Sequence, residues 1–128
     1  MLALRSTALA QITLVWWVAA TEGFGYARLR ATPQLWGRVT ESAVGAELLA
    51  RHLEHNSTQP LIYYWRDGTS EVDYVVRHQG DLFAYEVKSG GHTGNVSGLD
   101  AFCRQYSASR PLVLGTGGLS LGAWFSAY

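Results

Sequence analysis

Lys88 is the only lysine in the chain; the other nine basic residues are arginine. Lysine at this position therefore reads as a chemical requirement. It closes the string Tyr85-Glu86-Val87-Lys88-Ser89-Gly90, a Glu-x-Lys step at the end of an apolar run. Asp73 lies thirteen residues before Glu86, inside a second strand-like run, Glu71-Val72-Asp73-Tyr74-Val75-Val76. An aspartate on one strand with Glu-x-Lys on the next is a recurrent way to build a metal-dependent site that cleaves phosphodiester bonds. Acidic oxygens take a hard cation and the lysine faces the phosphate.

Strands and a hairpin must bring these residues together. With Gln79-Gly80 at the centre of the turn, facing residue numbers sum to 159, so Asp73 lies opposite Glu86 and Glu71 opposite Lys88. Side chains alternate faces along a strand. One face then carries Val72, Tyr74, Val76, Phe83, Tyr85 and Val87 and is core. The other carries Glu71, Asp73, Val75, Ala84, Glu86 and Lys88. Two acids side by side, about 5 Å apart at Cβ, repel by roughly 0.2–1 kcal/mol. A divalent cation such as Mg²⁺ or Mn²⁺ removes that cost. The competing reading is a solvated charged face on which Lys88 neutralises one acid.

The remaining elements frame the hairpin. Thr21 to Pro33 reads as a loop with a short helix. A helix is predicted from Thr40 to His55, with Thr40 as N-cap and Ala43, Ala46, Leu49, Ala50 and Leu53 at helical spacing. Asn56 to Pro60 stops it. Strands follow at Leu61–Arg66, Glu71–Arg77 and Leu82–Lys88, the first turn marked by Asp67-Gly68. A Gly-rich loop, Ser89–Gly94, leads to a helix over Val96–Ser107, then a strand over Leu112–Leu114 opened by Pro111, and a tail that turns apolar at Ala123, Trp124 and Phe125. Helix, three-strand antiparallel meander, helix, strand makes an α/β fold with a mixed central sheet, because the last strand returns through a helical crossover. Glu41 falls in the first turn of the first helix, beside the small residues Ala43, Gly45 and Ala46, which let that helix approach the sheet and bring a third acid to the pair. Its bland reading is a first-turn acid favoured by the helix dipole.

Bulk properties limit the choices. A chain of 128 residues, 48% hydrophobic and 16% charged, supports one packed domain. Zero formal net charge argues against a strong non-specific nucleic-acid binder. One cysteine, Cys103, excludes an internal disulfide, fits a reducing compartment and reads as a buried helix thiol. The apolar run Ala8–Ala20, between Arg5 and a small-residue end, has the look of a secretory signal, but it is shorter than the ~20 residues a bilayer span needs. Residues 1–31 are read as an apolar, irregular segment, the remnant of a preceding domain if the chain is a truncated product; 32–128 form the domain. His52 and His55 are spaced to share a helix face, but no cysteine or further histidine completes a zinc set. His78 and His92 fall in predicted loops. Asn56-Ser57-Thr58 and Asn95-Val96-Ser97 match glycosylation triplets that are common by chance. There is no phosphate-binding G-x-x-x-x-G-K-[ST] loop, and Gly115-Thr116-Gly117-Gly118 reads as a turn.

The set Glu41, Asp73 and Glu86-x-Lys88 resembles the PD-(D/E)xK, or restriction-endonuclease-like, nuclease superfamily, whose core has the same element order. The strings Leu35-Trp36-Gly37-Arg38-Val39-Thr40-Glu41-Ser42-Ala43-Val44-Gly45-Ala46, Tyr63-Tyr64-Trp65-Arg66-Asp67-Gly68, Glu71-Val72-Asp73-Tyr74-Val75 and Glu86-Val87-Lys88-Ser89-Gly90 look like the domain found C-terminal to many bacterial and archaeal AAA-type ATPases, from about Thr32 to Ser126. The resemblance implies that Asp73 and Glu86 ligate Mg²⁺ or Mn²⁺, with the Val87 carbonyl as a third ligand. Glu41 would add a ligand, directly or through water. Lys88 would orient the attacking water and steady the phosphate, and Gln105 would be an accessory residue near the site. It departs from the family in having Val72 where the first motif carries proline, and in a loop after Lys88 with no basic residue but His92.

Two expectations of function follow. One is a Mg²⁺-dependent, endodeoxyribonuclease-like domain hydrolysing DNA phosphodiester bonds, cytoplasmic, with no membrane role, and linked to an AAA-type ATPase in trans or lost by truncation. The other is a catalytically inactive nuclease-fold module for docking to an ATPase partner or for homodimerisation.

Overall fold

The computed structural model describes residues 25–55, 62–91 and 96–127. The run Ala8–Ala20, the side chains of His52 and His55, the triplet Asn56-Ser57-Thr58, and His92 and Asn95 lie outside what is described.

Two helices open the domain, α1 (Tyr26–Ala31) and α2 (Pro33–His55). The helix predicted from Thr40 begins seven residues earlier. Pro33 occupies its first position, where the missing N–H costs nothing and the fixed φ suits the helix. Thr32 before it is extended, as a pre-proline residue must be. Thr40 is therefore not an N-cap. It sits roughly two turns inside α2, buried, and its Oγ1 donates to the Trp36 carbonyl at 2.8 Å.

The strands are β1 (Ile62–Asp67), β2 (Ser70–His78), β3 (Asp81–Lys88) and β4 (Arg110–Gly115). Helix α3 (Ser97–Gln105) lies between the last two, and a short α4 (Leu121–Phe125) ends the chain. The sheet order is β1-β2-β3-β4, with β1–β2 and β2–β3 antiparallel and β3–β4 parallel. This is the expected α/β arrangement. The register of β2 on β3 sums to 159 at every pair, from Tyr74↔Tyr85 to His78↔Asp81. Gln79 and Gly80 form the turn at φ +51° and +90°, the two positive values of a type I′ hairpin. His78 is thus the last residue of β2, not a loop residue. The first hairpin turns one residue later than expected, at Gly68-Thr69, because Asp67 still pairs with Ser70.

Both sheet faces are packed, which corrects the expectation of one apolar and one polar face. On one side Tyr74, Val76 and Leu114 meet Val44 and Leu48 of α2 and Trp124 of α4, with Phe83, Tyr85 and Val87 against them. On the other, Val72, Val75 and Ala84 meet Trp65 and Leu99 and Phe102 of α3. Val72 was expected to share a face with Tyr74 and Val76. It lies with Val75 instead, because β2 carries a bulge: Trp65 faces Val72 and Tyr63 faces Val75, so two steps on β1 span three on β2. The extra residue shifts the alternation. Among the described residues no helix is long and apolar enough to cross a membrane.

Candidate functional site

The bulge falls on Asp73-Tyr74, opposite Tyr64. It marks the point where β2 and β3 part. Beyond Tyr74↔Tyr85 their ladder stops. Neither expected facing pair, Asp73–Glu86 or Glu71–Lys88, is part of that ladder; Glu71 keeps its partner Arg66 on β1 and Lys88 its partner Gly115 on β4. Asp73 bridges the gap: its Oδ2 accepts the Val87 N–H at 2.7 Å. A side chain has taken the place of a backbone ladder bond, which fixes the carboxylate against the Glu-x-Lys strand.

Glu86 is 8% exposed. One of its oxygens, Oε1, receives the Lys88 ammonium at 2.5 Å. The other, Oε2, is buried with no hydrogen-bond partner. A buried carboxylate oxygen left unsatisfied is costly, and few native groups are left that way. The β4 exit holds the backbone under this pair. The Thr116 N–H donates to the Lys88 carbonyl at 2.9 Å, and Thr116 Oγ1 donates to the Gly90 carbonyl. Gly115 sits at φ +99°, and a Cβ there would lie 1.9 Å from the Lys88 carbonyl oxygen. The turn Gly115–Gly118 is thus the cradle of the Lys88 backbone.

Glu41 comes from the middle of α2, not its first turn, so the helix dipole does not account for it. Burial of Ser42, Val44 and Gly45 beside it shows how closely this stretch lies on the domain. The Tyr74 hydroxyl donates to the Glu41 carbonyl at 3.0 Å. One residue after Asp73, Tyr74 therefore pins the backbone of Glu41 to β2. Burial, and then Glu41 and Asp73, push the Tyr74 hydroxyl well above its ordinary pKa, so it remains a donor.

The acids feel one another. Desolvation, then Glu41 and Glu86, raise Asp73 to about 8, against smaller opposing effects of the Val87 N–H and Lys88. Glu41 is also raised, by burial first, then by Glu71 and Glu86, with Arg38 and Lys88 opposing. Glu41, Asp73 and Glu86 thus lie within electrostatic reach of one another and of Lys88. Glu41 and Asp73 also line an open cleft of about 230 Å³ with Tyr64, Arg66, Glu71 and Val72.

Of the residues singled out in the sequence, Asp73, Glu86, Val87, Lys88 and Glu41 are brought into one cluster. Gln105 is not joined to it: exposed at the end of α3, it donates to the Tyr106 hydroxyl at 3.4 Å. Cys103 is free and half-buried, not buried, and receives the Ser109 hydroxyl at 3.5 Å. Sequence reasoning missed Tyr74, which passed as a core residue, and Gly115 and Thr116, which passed as a plain turn. A glycine directly after a strand that runs beside Glu-x-Lys was the available signal for the latter.

The donors suit a hard divalent cation, being all oxygen and including one orphaned carboxylate oxygen. Among the described residues no three His, Cys, Asp or Glu side chains converge as a metal-holding group. Comparison with known proteins adds one finding. No curated protein and no solved structure matches the chain, while the family model for a domain of unknown function, DUF4143, matches residues 36–122 and so includes the whole acidic cluster. That match spans more than half of the 128 residues, and the chain belongs to the DUF4143 family.

Proposed function

We propose that this domain is a PD-(D/E)xK-type, metal-dependent nuclease that hydrolyses phosphodiester bonds of DNA, of the kind appended to AAA-type ATPases and working in the cytoplasm. The observation that carries the reading is the buried, unpartnered Oε2 of Glu86, beside an Asp73 that burial and neighbouring acids hold near a pKa of 8.

Asp73, Glu86 and the Val87 carbonyl would hold Mg²⁺ or Mn²⁺, with Glu41 as a further ligand. When bound, the ion supplies Lewis acidity for in-line attack by water and offsets charge on the leaving oxygen. The protein's own groups do the rest. Asp73 is held in place by the Val87 N–H. Lys88, which donates to Glu86 Oε1, would present its ammonium to the attacking water and a phosphate oxygen. Tyr74 fixes the approach of Glu41.

A second reading, a catalytically inactive module that docks to an ATPase partner or to its own copy, is favoured by the lack of a pre-closed metal group among the described residues and by zero formal net charge. Cleavage of nicked or branched DNA with Mg²⁺ or Mn²⁺ separates the two. The nuclease reading expects metal-dependent products from the wild type and none from Lys88→Ala. That variant should also be less stable without metal by about 1–3 kcal/mol, since Glu86 loses its partner. No cleavage by the wild type in either metal favours the docking module.

A further inference from the structure

The cleft beside the acids has a second wall that the proposed chemistry does not use. Tyr64 and Arg66, two apart on β1, line it together with Glu41, Glu71, Val72 and Asp73. Arg66 is exposed, and among the described residues its guanidinium makes one long hydrogen bond, Nε to the Gly68 carbonyl at 3.4 Å. Its guanidinium is therefore available to a ligand. Among the described residues it is the one cationic side chain lining this cleft. Tyr64 is half-buried and stands opposite the β2 bulge that carries Asp73. An aromatic face and a guanidinium side by side form the usual pair for an unpaired nucleotide: the ring stacks the base and the cation takes a phosphate. The volume, about 230 Å³, lies below the ~300–1,000 Å³ of ordinary small-molecule sites. It has room for part of one nucleotide and not for the width of a duplex. Exposed Glu71 on the same wall repels further phosphates and limits the charge contacts to a few, in keeping with zero formal net charge.

We propose that Tyr64 and Arg66 form a subsite for single-stranded nucleic acid, Tyr64 stacking a base and Arg66 holding an adjacent phosphate. This rests on the nuclease reading and deepens it: the substrate is an unpaired end or flap, not continuous duplex.

The test is fluorescence anisotropy with a labelled oligothymidylate and a blunt duplex of equal length, in EDTA and in Ca²⁺, over a range of salt. The wild type should bind the single strand more tightly than the duplex. Arg66→Ala should weaken single-strand binding about tenfold and reduce the salt slope by about 0.7, the value of one lost phosphate contact on a single strand. Tyr64→Ala should weaken it by a similar factor with the salt slope unchanged, and Tyr64→Phe should retain it. Arg66 is exposed and Tyr64→Phe preserves volume, so loss of folding does not confuse the result. Equal affinity for duplex and single strand, no binding of either, or wild-type affinity in both Ala variants would overturn the subsite. The nuclease reading fails on a different readout, the absence of metal-dependent cleavage, so the two failures are distinguishable.

Discussion

Near the Gln79-Gly80 turn, β2 and β3 are paired residue for residue, and apolar side chains cover both faces: Val76 against α2 and α4, Val75 and Ala84 against α3. At the other end the same two strands part, the ladder gives way to a single bond from Val87 to Asp73, and three acids crowd around one ammonium. The first end satisfies its polar groups and buries apolar surface. The second leaves a carboxylate oxygen buried and unpartnered. Such a departure from a well-satisfied interior is expected where a protein keeps a site ready for a ligand. The packed end supports the acidic end, and the two should respond to different perturbations.

The largest effect is expected at the packed end. Phe102 is fully buried on the α3 face, edge-on to Trp65. Phe102→Ala should cost about 3–5 kcal/mol by denaturant unfolding, and the loss should be the same with and without Mg²⁺. A smaller loss would mean that α3 is loosely docked.

Gly115→Ala probes the support beneath the site. The positive φ alone makes alanine cost about 1–3 kcal/mol, and its Cβ would collide with the Lys88 carbonyl. Unlike Phe102→Ala, it should also diminish any metal-induced rise in melting temperature, because the Glu86-x-Lys88 backbone must shift. A metal response equal to wild type in this variant would detach the β4 turn from the site.

The acidic end should show itself through pH. The folded chain holds a proton on Asp73 up to about pH 8, whereas an unfolded aspartate releases it near its ordinary range. Between those limits the folded state binds more protons, so metal-free stability is greatest in acid and falls as pH rises toward 8. Glu41, also raised, acts with the same sign. A melting series in EDTA from pH 5 to 8 should show this decline in the wild type and a shallower one in Asp73→Asn. A flat or rising wild-type profile would mean that the acids are already neutralised.

Much of the packed end was legible in the sequence. Gln79-Gly80 fixed the register, and the order of elements followed from strand alternation and helical spacing. The bulge was not legible, since Val72, Tyr74 and Val76 alternate as a regular strand would, and no glycine marks the extra residue; the shift is set by how β1 meets β2. The true start of α2 was hidden by Gly37, a poor helix former, and by Thr40, which looked like a cap. The cluster Asp73, Glu86 and Lys88 could be read from residue types and spacing because it lies on one hairpin. Glu41 could only be guessed, as its approach depends on a long-range contact with Tyr74. Gly115 and Thr116 depend on the parallel pairing of β3 with β4, which local sequence does not specify.

The smallest expected change in metal-free buffer is also the most telling with metal. Asparagine at position 73 can still accept the Val87 N–H, and above about pH 8, where Asp73 is ionised, it removes a desolvated charge among other acids, so there Asp73→Asn should leave stability unchanged or raise it by about 0.2–1 kcal/mol in EDTA. Melting curves of the wild type and Asp73→Asn, in EDTA and in millimolar Mg²⁺ or Mn²⁺, then test the cation site directly. The wild type should gain stability with metal as RT ln(1 + [L]/Kd), and the variant should lose most of that gain. A wild type that shows no metal-dependent shift, together with a clearly destabilised Asp73→Asn in EDTA, would contradict the cation site and leave the acids a structural role.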